Sequence, residues 1–403
     1  MWTEWPHNPN GHCCAAGSRV DFDLYGLLGV RLIGASAADV AAVSRQLGQT
    51  RKPLNRAPDI TLRFVSEAEM PRSMRYLGAH DAGYTNNRFF VLRSRHKSVT
   101  RVAVPFEQLG GPCELICQSG LAAVPLLVPI INLTLLGRGV LALHASAFVY
   151  QGTGILTTGW SKGGKTEALL TFAAQGAQYI GDEWIYLDAD GRMFGIPEPI
   201  RAWKWHLDSL PQLRRRLTRG QKRRLRVLGM AVGAARRFAR GRAGQGGLRG
   251  LLARALPLVE KQLFADLPAE QLFPDAARAQ GSALERVFFV GCHEEPGVTA
   301  RPIEPHEIAD RMVHSLAEER EPLMSYYRMF RFAFPERESA LLEQASRLEH
   351  ELLVRHLAER PCYEVVHPNP MDLADLYRAM RPLCSPSVTP TVEAREVAAL
   401  AGG

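Results

Sequence analysis

Apolar and polar positions alternate with two different periods along this chain, and the changes of period mark its elements. Asp21-Phe-Asp-Leu-Tyr-Gly-Leu-Leu-Gly-Val reads as one strand, Ile60-Thr-Leu-Arg-Phe-Val as a second and Arg88-Phe-Phe-Val-Leu-Arg, after the turn signal Asn86-Asn87, as a third. Between them, Ala37 to Gln49 places Val40, Val43 and Leu47 on one helical face. A small N-terminal α+β unit over residues 1–120 is therefore expected, with no recognisable chemistry in it.

The pattern then changes. A helix is expected before Gly139, and Val140 to Val149 and Gly154 to Thr158 are apolar, strand-like runs split by Gln151-Gly152. Lys165 to Ala174 has helical spacing, Tyr179 to Gly181 reads as a short buried strand and Trp184 to Leu187 as another, turned by Asp190-Gly191. Farther on, Arg286 to Gly291 and Cys362 to Val366 read as strands. Pro305 to Glu319, Glu336 to Leu357 and Pro370 to Met380 read as helices. Strands alternating with helices predict an α/β fold. The segments around residues 1–20 and 385–403 have the composition of loose ends.

The glycines after Thr158 carry the first chemistry. Gly159-Trp160-Ser161-Lys162-Gly163-Gly164-Lys165-Thr166 fits G-x-x-x-x-G-K-[ST] at every fixed position. Such a loop turns backbone N–H groups toward phosphate oxygens, and the following helix aims its N-terminus at the same anion. Lys165 is the expected cation for the β- and γ-phosphates of ATP, and Thr166 the expected hydroxyl ligand of Mg²⁺. A glycine-rich turn matching by accident is the alternative. The strand before the loop and the helical Glu167-Ala-Leu-Leu after it speak against that.

Seventeen residues past Lys165 stand Asp182 and Glu183, at the end of a short predicted strand. Beside a phosphate loop, one carboxylate can hold Mg²⁺ and the other can accept a proton from an attacking hydroxyl. Two surface acids capping a strand would look the same. His144 lies fifteen residues before Gly159 in an apolar run, where a lone histidine is most often a satisfied core residue.

His144, Gly159 to Thr166, Glu167 and Asp182-Glu183, at these spacings, together resemble the catalytic domain of the HPr kinase/phosphorylase family. Stand-alone kinases related to it, including those of peptide-modifying gene clusters, are similar also at Asp21 to Phe64 and at Pro197-Glu-Pro-Ile200. The likeness is specific over Leu141 to Leu187 and thinner over Leu284 to Met380. It implies an α/β P-loop kinase fold of the HPr kinase and phosphoenolpyruvate carboxykinase type. It also implies ATP and Mg²⁺ as cofactors, Asp182 as base toward an acceptor hydroxyl, Glu183 as metal holder and His144 as the residue that tunes the base. Glu183 stands where the family usually has Asp, and Thr166 where Ser is usual. Pro199-Ile-Arg201-Ala-Trp-Lys204-Trp occupies the place of the family's Arg-Gly signature. The expectation is thus a forward kinase acting on a peptide, protein or small molecule other than HPr. A regulatory nucleotide binder that transfers nothing is the alternative. A carboxykinase would need a Lys/His/Asp metal set that the sequence does not assemble.

Charge alters this picture in one place. The net charge is +8, yet Ser209 to Val259 has no acid and holds 14 of the 49 Lys and Arg residues, so the remainder carries 35 − 41 = −6. Within this segment Leu225, Leu228, Val232 and Ala235 recur at helical spacing, before a glycine-rich break from Gly241 to Gly250. Residues 209–259 are thus expected to be a basic helical insertion between a core at 121–208 and its continuation at 260–384. A solvated helix, or a dock over 214–254 for an anionic partner or membrane surface, are the two expectations. Arg201 and Lys204 are candidates to reach phosphate. Nucleic acid is discounted because only Phe238 interleaves with the arginines. The chain itself, as a homo-oligomer, is the remaining candidate partner.

No apolar run reaches the roughly 20 residues of a membrane-spanning helix, and no signal peptide is expected at the N-terminus. Seven scattered cysteines, an odd number, argue for a reducing compartment such as the cytoplasm and against a disulfide framework. Cys113 and Cys117 lack a partner pair at zinc-finger spacing.

Overall fold

A computed structural model describes residues 19–385 apart from 49, 67–70, 72, 94–98, 197, 240–261 and 274–277. Of the loose ends expected around 1–20 and 385–403, residues 1–18 and 386–403 lie outside the described residues, as do Pro197 and the glycine-rich break from Gly241 to Gly250. The structure is mixed α/β and divides into two compact units, residues 1–139 with 318–348 and residues 140–317 with 349–403. Among the described residues no helix is long and apolar enough to cross a membrane.

The first unit is built on an eight-stranded sheet of order β1-β2-β3-β8-β7-β6-β5-β4. These strands are β1 (Val20–Leu24), β2 (Leu28–Ile33), β3 (Ile60–Val65), β4 (Arg75–Leu77), β5 (Ala82–Tyr84), β6 (Phe89–Arg93), β7 (Val99–Ala103) and β8 (Cys113–Gln118). The run expected as one strand from Asp21 is instead the β1–β2 hairpin, with Val20 opposite Leu32. Tyr25 and Gly26 both have positive φ, which reverses the chain between two otherwise continuous apolar patterns. α1 (Ala37–Leu47) carries a capping box in which Ser36 and Asp39 exchange hydrogen bonds, and it buries Val43 and Leu47 as its spacing predicts. α2 (Leu127–Leu136) supplies the helix expected before Gly139.

The second unit holds three further sheets among its described residues, one of them a two-stranded pair. A six-stranded one has the order β12-β10-β11-β18-β20-β19, and a four-stranded one the order β17-β14-β13-β9. Their strands are β9 (Leu141–His144), β10 (Ser146–Tyr150), β11 (Thr153–Thr158), β12 (Gln178–Gly181), β13 (Trp184–Leu187), β14 (Arg192–Gly195), β17 (Ser282–Ala283), β18 (Arg286–Cys292), β19 (Thr299–Pro302) and β20 (Cys362–His367). β11, β18 and β20 run parallel, and all six residues of β11 are buried. This strand is covered along its whole length, and it buries Thr153, Thr157 and Thr158 beside Ile155 and Leu156. α3 (Lys165–Ala173) covers one face with Leu169 and Phe172, the latter stacked on Phe148 with ring centres 5.0 Å apart.

The run Val140 to Val149, expected as one strand, is divided between the two sheets. β9 pairs with β13, whereas β10 pairs with β11 and β12. The chain returning through β12 and β13 changes sheet at the same level: Ala147 is opposite Gly181, and His144 is opposite Trp184. The sheets close on each other at Gly181 and Gly195, where a Cβ on Gly181 would stand 2.6 Å from the Gly195 Cα. Both crossings thus fall at His144-Ala145 and Asp182-Glu183.

β15 (Ile200–Trp203) pairs with β16 (Phe264–Leu267) and leads into α4 (Lys204–Ser209), α5 (Pro211–Arg215) and α6 (Arg219–Ala239). The basic segment is more than a solvated helix. Leu213, Leu217 and Leu225 belong to the same buried cluster as Phe148 and Phe172, and Val232 is 4% exposed. The helix expected to end at Glu319 spans Pro305–Ala333 through Pro322, and that expected from Glu336 begins at Ala340.

Candidate active site

The phosphate loop leaves the C-terminal end of β11 beside the end of β18. Gly159 has φ +141°, and a Cβ there would stand 2.3 Å from the Val290 carbonyl oxygen, so only glycine fits the turn. Gly164, with φ +107°, forms the N-cap of α3, and a Cβ on it would strike the His367 ring at 2.6 Å. Lys162 adopts positive φ between them, and Trp160 and Ser161 are exposed. Lys165 is 6% exposed, and its Nζ donates to the carbonyls of Trp160 at 2.9 Å and Gly159 at 3.1 Å. The ammonium is thereby held inside the loop, where a phosphate would meet it.

Thr166 and the acid pair come together. Thr166 Oγ1 donates to Asp182, at 3.1 Å from Oδ2 and 3.3 Å from Oδ1. Asp182 is 4% exposed. Burial first, then the negative charge of Glu183, pushes its carboxyl up from 3.8 to about 7, against the Thr166 hydrogen bond. Glu183 sits at φ +70°, a left-handed conformation that costs a non-glycine residue on the order of 1 kcal/mol. Its side chain is half-exposed. His144 Nε2 lies 2.9 Å from Glu183 Oε2, and this contact is the main reason that the Glu183 carboxyl is held below its ordinary range. The sequence expectation placed His144 beside the base; its hydrogen bond goes to Glu183, so any influence on Asp182 runs through the Glu183 charge.

Three further residues lie at the site: Glu198, from the Pro197-Glu-Pro-Ile200 segment of the resemblance, and His206 and His367, which carry no local sequence signal. Glu198 is pushed up to about 7 by burial and then by the charges of Glu183 and Asp182, making it a third carboxyl in the same field. His206 of α4, 1% exposed, has Nε2 3.1 Å from Glu167 Oε1 and accepts from the Trp203 N–H through Nδ1 at 3.1 Å. Burial alone would raise the Glu167 carboxyl, but the His206 hydrogen bond and charge outweigh it and the net direction is down. His367, at the end of β20, places Nε2 2.8 Å from the Gly163 carbonyl oxygen. Arg201 and Lys204, candidates for phosphate, are engaged elsewhere. Arg201 bonds Asp266 at 3.0 Å and Lys204 pairs with Asp208.

No family model matches this chain. No curated protein matches it either.

These residues suit a nucleotide with a divalent cation. The loop is a cradle that a Cβ at Gly159 or Gly164 would fill. A buried carboxylate beside a second and a third acid is a concentration of negative charge that a cation would offset. Thr166 can donate its hydrogen to Asp182 and still offer an oxygen lone pair to a metal. The cysteines are of another kind. Burial pushes the Cys113 thiol up to about 12. Among the described residues no group of three or more His, Cys, Asp or Glu side chains, the acids of this site included, forms a metal cluster, so a cation here would rely on the phosphates as well as on Thr166 and an acid.

Proposed function

We propose that the protein is an ATP-dependent phosphotransferase that moves the γ-phosphate to a hydroxyl on a peptide, protein or small molecule, with a P-loop kinase domain of the HPr kinase type. The observation that carries this reading is the contact between Thr166 of the loop and the buried Asp182. A regulatory binder needs the loop and one acid for Mg²⁺, whereas Asp182 and Glu183 together offer a second acid that can serve as base.

In this reading the loop amides and Lys165 bind the β- and γ-phosphates, and Thr166 and Glu183 hold Mg²⁺, which offsets charge on the phosphates when bound. Asp182 takes the proton of the acceptor hydroxyl, whose oxygen attacks the γ-phosphorus as the bond to the bridging oxygen breaks and ADP leaves. Asp182 stands within hydrogen-bond reach of the loop, the position such a base requires. His144 keeps Glu183 ionised and fixed. His206 and His367 brace the helix and the loop through Glu167 and Gly163.

The test is phosphate transfer from labelled ATP to proteins and small molecules of a cell lysate, with Asp182→Asn as the control. A labelled acceptor seen with wild type and lost with the variant is expected. No labelled acceptor, together with tight ATP binding, would replace this reading by that of a regulatory nucleotide binder.

A further inference from the structure

One surface beside the site is left unused by phosphate transfer. α4, α5 and α6 enclose a groove of about 510 Å³. Five cations line it, Lys204, Arg214, Lys222, Arg226 and Arg237, against one acid, Asp208, giving 5 − 1 = +4. Asp208 is already shared, paired with Lys204 and 3.6 Å from Arg214. The floor is apolar: Leu207, Leu217 and Leu225 rise from the buried core, while Met230 on the rim is 61% exposed. Small residues of α6 keep the groove open. A Cβ at Gly233 would meet nothing within 4 Å, and at Gly229 the Lys204 side chain lies against the helix backbone.

The groove is also tied to the phosphate loop. α4 is six residues long and serves both: Lys204, Leu207 and Asp208 face the groove, and His206 reaches Glu167, next to Thr166.

We propose that this groove docks an acidic peptide segment bearing leucine-like side chains. Resting on the phosphotransferase reading, we take that segment to belong to the acceptor. Cations around an apolar floor call for a ligand with both carboxylates and apolar side chains, which a small anion lacks. A membrane surface would need the apolar side chains on a projecting face, and here they lie at the bottom of a cleft. Nucleic acid would need a stacking platform, and among the described residues that line the groove none is aromatic. The neighbouring stretch 240–261 is not a suitable occupant. It carries Arg240, Arg242, Arg249, Arg254 and Lys261 against Glu260, again 5 − 1 = +4, and would be repelled.

The experiment measures binding of a fluorescein-labelled amphipathic peptide of Glu, Leu, Ala and one Ser to the full chain without nucleotide. The same peptide with Lys for Glu, and phosphatidylglycerol vesicles, serve as comparisons. Wild type should bind the acidic peptide at least about tenfold more tightly than the basic one, with affinity falling as salt rises. Arg226→Glu with Arg237→Glu should lose at least about tenfold and flatten the salt dependence. Gly233→Leu fills the groove without changing charge, improves helix propensity and should also weaken binding, which keeps the test valid should the double variant misfold. Equal binding of the two peptides, acidic-peptide affinity unchanged by both variants, or binding of vesicles but not of peptide would each overturn the proposal. With labelled ATP and Mg²⁺ then added, a peptide that binds by these criteria but takes no phosphate at its Ser would leave the groove standing and count against its presenting the acceptor.

Discussion

Thr166 Oγ1 lies 3.1 Å from Asp182 Oδ2, across a sequence separation of sixteen residues. The two are brought together by a strand pair that changes sheet. β12 runs alongside β10 as far as Gly181, and β13 then pairs with β9 from Trp184. The two residues left at the crossing are Asp182 and Glu183. Their opposite treatment, one buried and raised to about 7, the other half-exposed and held low by His144, gives one site two carboxyls of different character.

Lys165→Ala should weaken ATP-Mg binding at least about tenfold, or about 1.4 kcal/mol. Calorimetry on a variant shown to be folded checks this, and unchanged affinity would remove the phosphate-loop reading.

Asp182 predicts a trade between stability and activity. Its folded carboxyl is raised from 3.8 to about 7, so between these values the native state holds more proton than the unfolded state. Stability therefore falls as pH rises through that window, and below it the effect disappears. In metal-free protein, Asp182→Asn should raise the melting temperature at pH above 7 and leave it nearly unchanged at acid pH. Thermal melts across pH test this. A variant less stable than wild type at alkaline pH would show that the carboxylate is satisfied in the fold.

The phosphate loop and the acid pair were legible because their chemistry demands fixed residue types at short, fixed spacings. The switch of sheets was not. Val140 to Val149 is apolar throughout, and where it breaks depends on which strands lie beside it. His206 and His367 are single residues far from the loop in sequence, so no local period marks them, and the Pro197-Glu-Pro-Ile200 resemblance did not by itself give Glu198 a role. Pro322 also misled. A proline in a helical pattern ordinarily ends the helix near it, yet here the helix runs to Ala333. The burial of α6 was half legible: Leu225 and Val232 lie on the predicted face, but sequence alone could not say what that face meets.

Leu225 tests whether α6 is part of the fold. It is 7% exposed within the core cluster, and Leu225→Ala should cost about 2–4 kcal/mol in denaturant unfolding. Deleting residues 214–242 should then destabilise the second unit as well as remove its charge. A deletion as stable as wild type would return α6 to a solvated appendage.

His206→Ala should raise the KM for ATP severalfold by freeing Glu167, and His206→Gln should restore most of it because an amide can still donate to the carboxylate. Steady-state kinetics alongside melting curves separate this from general instability. A melting temperature lowered equally by both variants, with KM unchanged, would make the contact purely structural.

The central claim is that Asp182 removes the acceptor's proton during phosphate transfer. The most direct measurement is the single-turnover rate of transfer from labelled ATP, with the ATP dissociation constant measured on the same preparations of wild type and Asp182→Asn. A loss of about 10²- to 10⁴-fold in rate is predicted, with much of the nucleotide affinity retained because Lys165 and the loop amides still hold the phosphates. Transfer by Asp182→Asn at the wild-type rate would contradict it.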